Sequence, residues 1–93
     1  MLKSLEELVN TIRERKNANP EKSYTNKLLN DKKMCVAKMN EEVNELINRI
    51  EKNDNKVHEA ADVLYHLLVL LEGNGIKIED VMKELKIRQN GIR

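Results

Sequence analysis

The chain has 93 residues, with 17 lysines and arginines against 16 aspartates and glutamates, two tyrosines as its only aromatic residues, and one cysteine. So short a chain supports one domain with a marginal core, and a net charge of +1 gives no general attraction to nucleic acid or membrane. The lone Cys35 excludes a disulfide framework and suits a reducing compartment, so self-association is the expected source of extra stability.

Apolar residues recur at helical spacing almost everywhere, and Phe and Trp are absent, which predicts an all-α bundle of four to five helices in a single domain over residues 1–93. Residues Met1 to Glu7 are charged and amphipathic rather than a secretory leader. A first helix starts at a capping box of Ser4 with Glu7, carries Leu5, Leu8, Val9 and Ile12 on one stripe, and ends near Lys16 at Asn17-Ala18-Asn19-Pro20. Glu21 to Thr25 reads as a polar loop, followed by a short helical turn around Lys27 to Asn30. Asp31 caps a long helix to about Lys52 with the stripe Val36, Met39, Val43, Leu46, Ile47 and Ile50. Asn53-Asp54-Asn55 forms a turn, and the next helix runs from Lys56 to about Glu72, where Gly73-Asn74-Gly75 stops it. A last helix, Ile78 to Gln89, turns Ile78, Val81, Met82 and Leu85 inward. The longest apolar run, Leu67 to Leu71, is far too short to span a bilayer, so the expected location is the cytoplasm.

The helix from Lys56 is apolar nearly all round, with Val57, Ala60, Ala61, Leu64, Leu67, Leu68 and Leu71 on one face and Val63, Val69 and Leu70 on the other. A helix of that kind is covered on both sides, by another subunit or by the centre of a bundle. Glu59 and Asp62 nonetheless enter the second face, with His66 one turn on. Carboxylates in such surroundings cost several kcal/mol unless paired or bound to a cation. The preceding helix supplies a matching pair, Glu42 and Glu45, with Glu41 beside them. Residues three apart share a helix face, so two pairs on consecutive antiparallel helices can converge. Oxygen ligands suit a hard cation such as Mg²⁺, and four carboxylates exceed the need of one such ion. The competing reading is a solvated face, because Lys38–Glu42 and Glu45–Arg49 are i,i+4 ion pairs.

Glu41-Glu42-x-x-Glu45 followed by Glu59-x-x-Asp62 resembles the metal-binding signature of the all-α nucleotide pyrophosphohydrolases, the MazG-like superfamily. The similarity narrows to the phosphoribosyl-ATP pyrophosphatases in four stretches. These are Leu5-Glu6-Glu7-Leu8 with Ile12-x-Glu14-Arg15-Lys16, Ser23-Tyr24-Thr25-x-Lys27-Leu28-Leu29, the run from Glu59 to Leu71, and Gly75-Ile76-x-Ile78-Glu79-Asp80-Val81 with Glu84-Leu85. Together they span roughly Leu5 to Gln89. The chain departs from the family at Asn40, usually Gly, and from Leu46 to Glu51, usually small and apolar.

The resemblance implies a bundle completed as a homodimer or dimer-based oligomer, and Mg²⁺-dependent hydrolysis of phosphoribosyl-ATP to phosphoribosyl-AMP and pyrophosphate, the second step of histidine biosynthesis. It implies metal ligation by Glu42, Glu45, Glu59 and Asp62, with Glu41 or a ligand carboxylate such as Glu42 or Glu45 accepting the proton of the attacking water. Ser23, Tyr24, Thr25 and Lys38 are the leading substrate-binding candidates, and Arg13, Arg15, Lys16 and Lys27 flank the polar loop. His66 contacts substrate, orients Asp62, or, as the simplest role, makes a structural hydrogen bond in the subunit interface. Many relatives are fused to the cyclohydrolase of the next step, so a separate cyclohydrolase is expected here. Two other functions compete: cleavage of deoxynucleoside triphosphates by the same superfamily chemistry, and a non-catalytic helical adaptor dimerising through the Lys56–Glu72 helix.

Overall fold

The computed structural model describes residues 1–89 and Gly91, and these form five α-helices with no strand. The helices are α1 (Lys3–Glu14), α2 (Tyr24–Leu29), α3 (Lys32–Lys52), α4 (Lys56–Gly73) and α5 (Ile78–Gln89), with a 3₁₀ turn at Arg15–Asn17. The all-α expectation holds. Among the described residues, no helix is long and apolar enough to cross a membrane.

Local chemistry sets most boundaries. Asp31 caps α3 by accepting from the Met34 amide at 3.0 Å, and Ser23 caps α2 by accepting from the Asn26 amide at 3.1 Å. The α3–α4 turn uses asparagines in the left-handed region, Asn53 at φ 60° and Asn55 at φ 46°, which Asn tolerates better than most residues. Gly75, at φ 71°, lets the chain reverse after α4.

Three expectations about elements are corrected. Ser4 is not a cap: the amides of Leu5 and Glu6 bond to the Leu2 carbonyl, so α1 starts earlier and Ser4 lies inside its first turn. Tyr24 and Thr25 are helical rather than loop, because Ser23 begins α2 three residues sooner. In α5 only Ile78 is buried, while Met82 and Leu85 are exposed.

The core lies where α1, α2, the start of α3 and the second half of α4 meet. Val9, Ile12, Leu28, Cys35, Leu68, Val69 and Ile78 fill it, each large aliphatic contributing about 1.5–3 kcal/mol. The far half of the α3–α4 hairpin projects beyond this core. Ile47 and Ile50 of the α3 stripe are therefore exposed, as are Val57 and Leu64 of α4, at 86% and 50%; Val36, beside core residue Cys35, is exposed as well. The radius of gyration of 14.6 Å accordingly exceeds the roughly 12 Å of a compact domain of this length.

Ion pairs tie three helices together at the core end. Glu72 closes α4 almost fully buried, its side chain 7% exposed, and takes Arg13 at 2.8 Å and Lys16 at 3.4 Å. Arg13 also grips Glu79 of α5 through two hydrogen bonds of 2.9 and 2.6 Å. Asn26, buried beneath them, donates to the carbonyls of Arg15 and Lys16 at 2.7 and 3.2 Å and so anchors the end of α1 to α2. Arg13→Met is expected to cost about 2–4 kcal/mol in urea unfolding, because it strips the main partner from a buried carboxylate. The Arg13 hydrogen bonds and the Glu79 backbone amide hold the Glu79 carboxyl down at about 2, against an ordinary 4.5. Its stabilisation is therefore complete above the ordinary range and lost as pH falls through about 2. Thermal midpoints should decline across that interval, and less steeply in Glu79→Gln; equal slopes would mean the clasp does not form in solution.

Candidate active site

The Asn53–Asn55 turn folds α4 back along α3, so Glu42 and His66, equally far from the turn, come opposite each other. On α4, Glu59, Asp62 and His66 recur at three and four residues and face the same side. Glu42, Glu59 and Asp62 are all half-buried. The Glu42 carboxyl is held above its ordinary range, first by burial, then by the negative charges of Asp62, Glu59 and Glu41, with His66 opposing. Glu42 of α3 therefore lies near enough to Glu59 and Asp62 of α4 for their charges to bear on it.

Not every expected ligand is free. Glu45 receives Arg49 at 2.8 Å, and Arg49 also reaches Asp54 at 3.4 Å. Lys38 pairs with Glu41 at 3.5 Å rather than with Glu42 as the i,i+4 spacing predicts, which leaves Glu42 to the cluster. His58, which the sequence did not single out, lies 3.4 Å from Asp62. His58, Glu59 and Asp62 each offer a ligand atom within 4.8 Å of the others. The signal for His58 was its i,i+4 spacing to Asp62.

A second layer comes from α2. The Tyr24 hydroxyl lies 3.0 Å from His66 Nε2, and His66 Nδ1 lies 2.7 Å from the Asp62 carbonyl oxygen. Thr25 Oγ1 and Tyr65 Oη are 2.5 Å apart. The sequence offers no visible stacking platform, yet the fold brings both tyrosines and His66 into one cluster, with Tyr24–Tyr65 ring centres 6.4 Å apart and Tyr65 edge-on to His66 at 5.0 Å. His66 is buried inside the chain rather than presented at a surface. Ser23 caps the same helix, and Lys27 is exposed on it.

Arg13 and Lys16 lie elsewhere. Both are held at Glu72, thirteen residues along α4 from Glu59 and so about 20 Å away. Their spacing in sequence gave no sign of this, because their partners come from α4 and α5. Arg15 is exposed and meets α2 through its carbonyl.

The donor set fits a hard divalent cation. Carboxylate oxygens are its preferred ligands, and a cation would offset both the burial and the neighbouring negative charges that raise Glu42.

A helical hairpin gathering carboxylates from both arms, with a short helix carrying hydroxyls beside them, is the arrangement expected of an all-α nucleotide pyrophosphohydrolase. Residues 5–89 match the family model described as phosphoribosyl-ATP pyrophosphohydrolase. The chain belongs to that family. It is 43% identical over 88 residues to the phosphoribosyl-ATP pyrophosphatase of Rhodobacter capsulatus, covering 91% of this chain and 85% of the relative. It is 45% identical over 94 residues to the enzyme of the same name from Clostridium acetobutylicum, covering 95% and 83%. It is also 44% identical over 86 residues to the histidine biosynthesis bifunctional protein HisIE of Thermotoga maritima, where the match takes in 89% of this chain and 44% of the larger protein.

Removing the Glu42 charge should stabilise the fold in the absence of any cation. Glu42→Gln is expected to raise the metal-free thermal midpoint by about 2–4 °C, corresponding to about 0.5 kcal/mol of relieved repulsion. A lower midpoint would mean that Glu42 is not strained by its neighbours.

Proposed function

We propose that this protein catalyses Mg²⁺-dependent hydrolysis of the α–β phosphoanhydride of phosphoribosyl-ATP, giving phosphoribosyl-AMP and pyrophosphate in the second step of histidine biosynthesis. The observation that carries the reading is the half-buried set of Glu42, Glu59 and Asp62 on facing helices, in a chain of this family.

Glu42, Glu59 and Asp62 would hold the cation, and Glu45 joins them by releasing Arg49, which keeps Asp54 as a partner. Bound Mg²⁺ supplies charge neutralisation for the triphosphate and lowers the pKa of the attacking water. Glu41 stands next to the ligands, exposed and paired only loosely with Lys38, so it is placed to accept a proton from that water. Lys38 then becomes available to phosphate oxygens. The Ser23 oxygen already accepts from the Asn26 amide, which leaves its hydrogen to donate to phosphate. Lys27 adds positive charge on the same short helix.

The working form is a homodimer. A compact monomer of 10.8 kDa exposes about 5,500 Å², whereas this chain exposes 7147 Å². The excess, on the order of 1,600 Å², is more than one partner's share of a standard interface. The bare apolar residues on the projecting hairpin, Ile47, Ile50, Val57 and Leu64 among them, are the surface a second copy would cover. We place the enzyme in the cytoplasm.

Pyrophosphate release should be measured from phosphoribosyl-ATP, dUTP and dCTP, with and without Mg²⁺. Release from phosphoribosyl-ATP alone, and only with Mg²⁺, is expected; preference for dUTP or dCTP would assign the chain to deoxynucleotide cleavage instead. Glu42→Gln and Asp62→Asn should each lower kcat at least about a hundredfold with helicity retained. Sedimentation should show a dimer at micromolar concentration that Leu64→Glu dissociates, and a stable wild-type monomer would refute the assembly.

A further inference from the structure

A neutral imidazole has one donor nitrogen and one acceptor nitrogen. His66 Nδ1 lies 2.7 Å from the Asp62 carbonyl oxygen, which can only accept, so the hydrogen sits on Nδ1. Nε2 is then a bare acceptor, and the Tyr24 hydroxyl 3.0 Å away must donate to it. That bond takes the one hydrogen the hydroxyl has. Burial, followed by the neighbouring Tyr65 and Glu42, holds the Tyr24 phenol above its ordinary range, so the hydrogen is retained. Tyr24 remains 45% exposed and therefore reachable by a ligand. An ionised triphosphate presents only acceptors, to which an oxygen in this state has nothing to donate. The nucleoside part of the same substrate carries sugar hydroxyls and base N–H groups.

We propose that His66 is a positioning residue that fixes the Tyr24 hydroxyl as a hydrogen-bond acceptor at the edge of the carboxylate cluster, where it binds an O–H or N–H donor on the nucleoside part of the substrate rather than a phosphate oxygen. This rests on the nucleotide-hydrolysing reading above. It divides the labour of α2: Ser23 keeps a hydrogen for phosphate, and Tyr24 offers a lone pair to the nucleoside. It also links the two layers of the site, because the residue that orients Tyr24 is bonded to the backbone of Asp62.

The tautomer is read without turnover by imidazole ¹⁵N NMR of the metal-free protein at about pH 8, above the ordinary imidazole range. A pyrrole-type Nδ1 and a pyridine-type Nε2 are expected for His66; the reverse tautomer overturns the proposal. In kinetics, Tyr24→Phe should raise KM for phosphoribosyl-ATP about fivefold, the size of one neutral hydrogen bond, with kcat within about twofold. His66→Asn, whose amide can still donate to the Asp62 carbonyl, should raise KM similarly, and adding Tyr24→Phe to it should change KM little further. An unaltered KM in Tyr24→Phe, a loss confined to kcat, or additive effects of the two substitutions each overturns the assignment. Absence of wild-type turnover would instead sink the functional reading, and the NMR spectrum keeps the two failures apart.

Discussion

The mutual repulsion of carboxylates drawn partly out of water between α3 and α4 is the constraint around which this protein is arranged. Glu42 is costly where it stands, half-buried beside Asp62, Glu59 and Glu41, as its raised carboxyl records. A small domain has only a narrow stability margin against such a cost. The strain is tolerated because the site sits away from the core, on the part of the hairpin where few side chains are fully buried.

The stabilising ion pairs and the candidate site consequently occupy opposite ends of α4. At the carboxyl end, Leu68, Val69 and Glu72 are buried against α1 and α2, and Arg13 and Lys16 neutralise Glu72. Nearer the amino end, Glu59 and Asp62 have no arginine or lysine ion pair among the described residues, and His58 lies near Asp62. The short helix α2 bridges the two regions. Its Asn26 and Leu28 belong to the core, while Tyr24 and Thr25 reach His66 and Tyr65 beside the acids. A change that loosens α2 from the core will therefore be felt at the candidate site through Tyr24.

The projecting hairpin explains why a chain so rich in apolar helix faces has so small a buried set. Half of the α3 stripe (Val36, Ile47 and Ile50) and much of the most apolar face of α4 (Val57, Leu64 and Leu67) find no cover within the chain. The polar-looking face of α4, with Glu59, Asp62 and His66, is the one that turns toward α2 and α3. The side facing outward is the more apolar one, an inversion that the proposed second copy would account for.

Much of this was legible in the amino-acid order. Helical periodicity and the breakers at Pro20, Asn53–Asn55 and Gly73–Gly75 locate the helices, because spacing and turn chemistry are local properties. The i,i+3 acids, set on two consecutive helices joined by a tight turn, announce their convergence, since an antiparallel hairpin must bring them face to face. Tertiary structure alone decided the rest. That Arg13 and Lys16 serve Glu72 and Glu79 rather than the acidic site depends on how α1 packs against α4 and α5, across about sixty residues of intervening chain. That Asn26 is buried and His66 lies between Tyr24 and the Asp62 carbonyl depends on where α2 docks. Periodicity tells which residues share a face, but not which neighbour that face will meet, because the neighbour is chosen by packing between segments far apart in the chain.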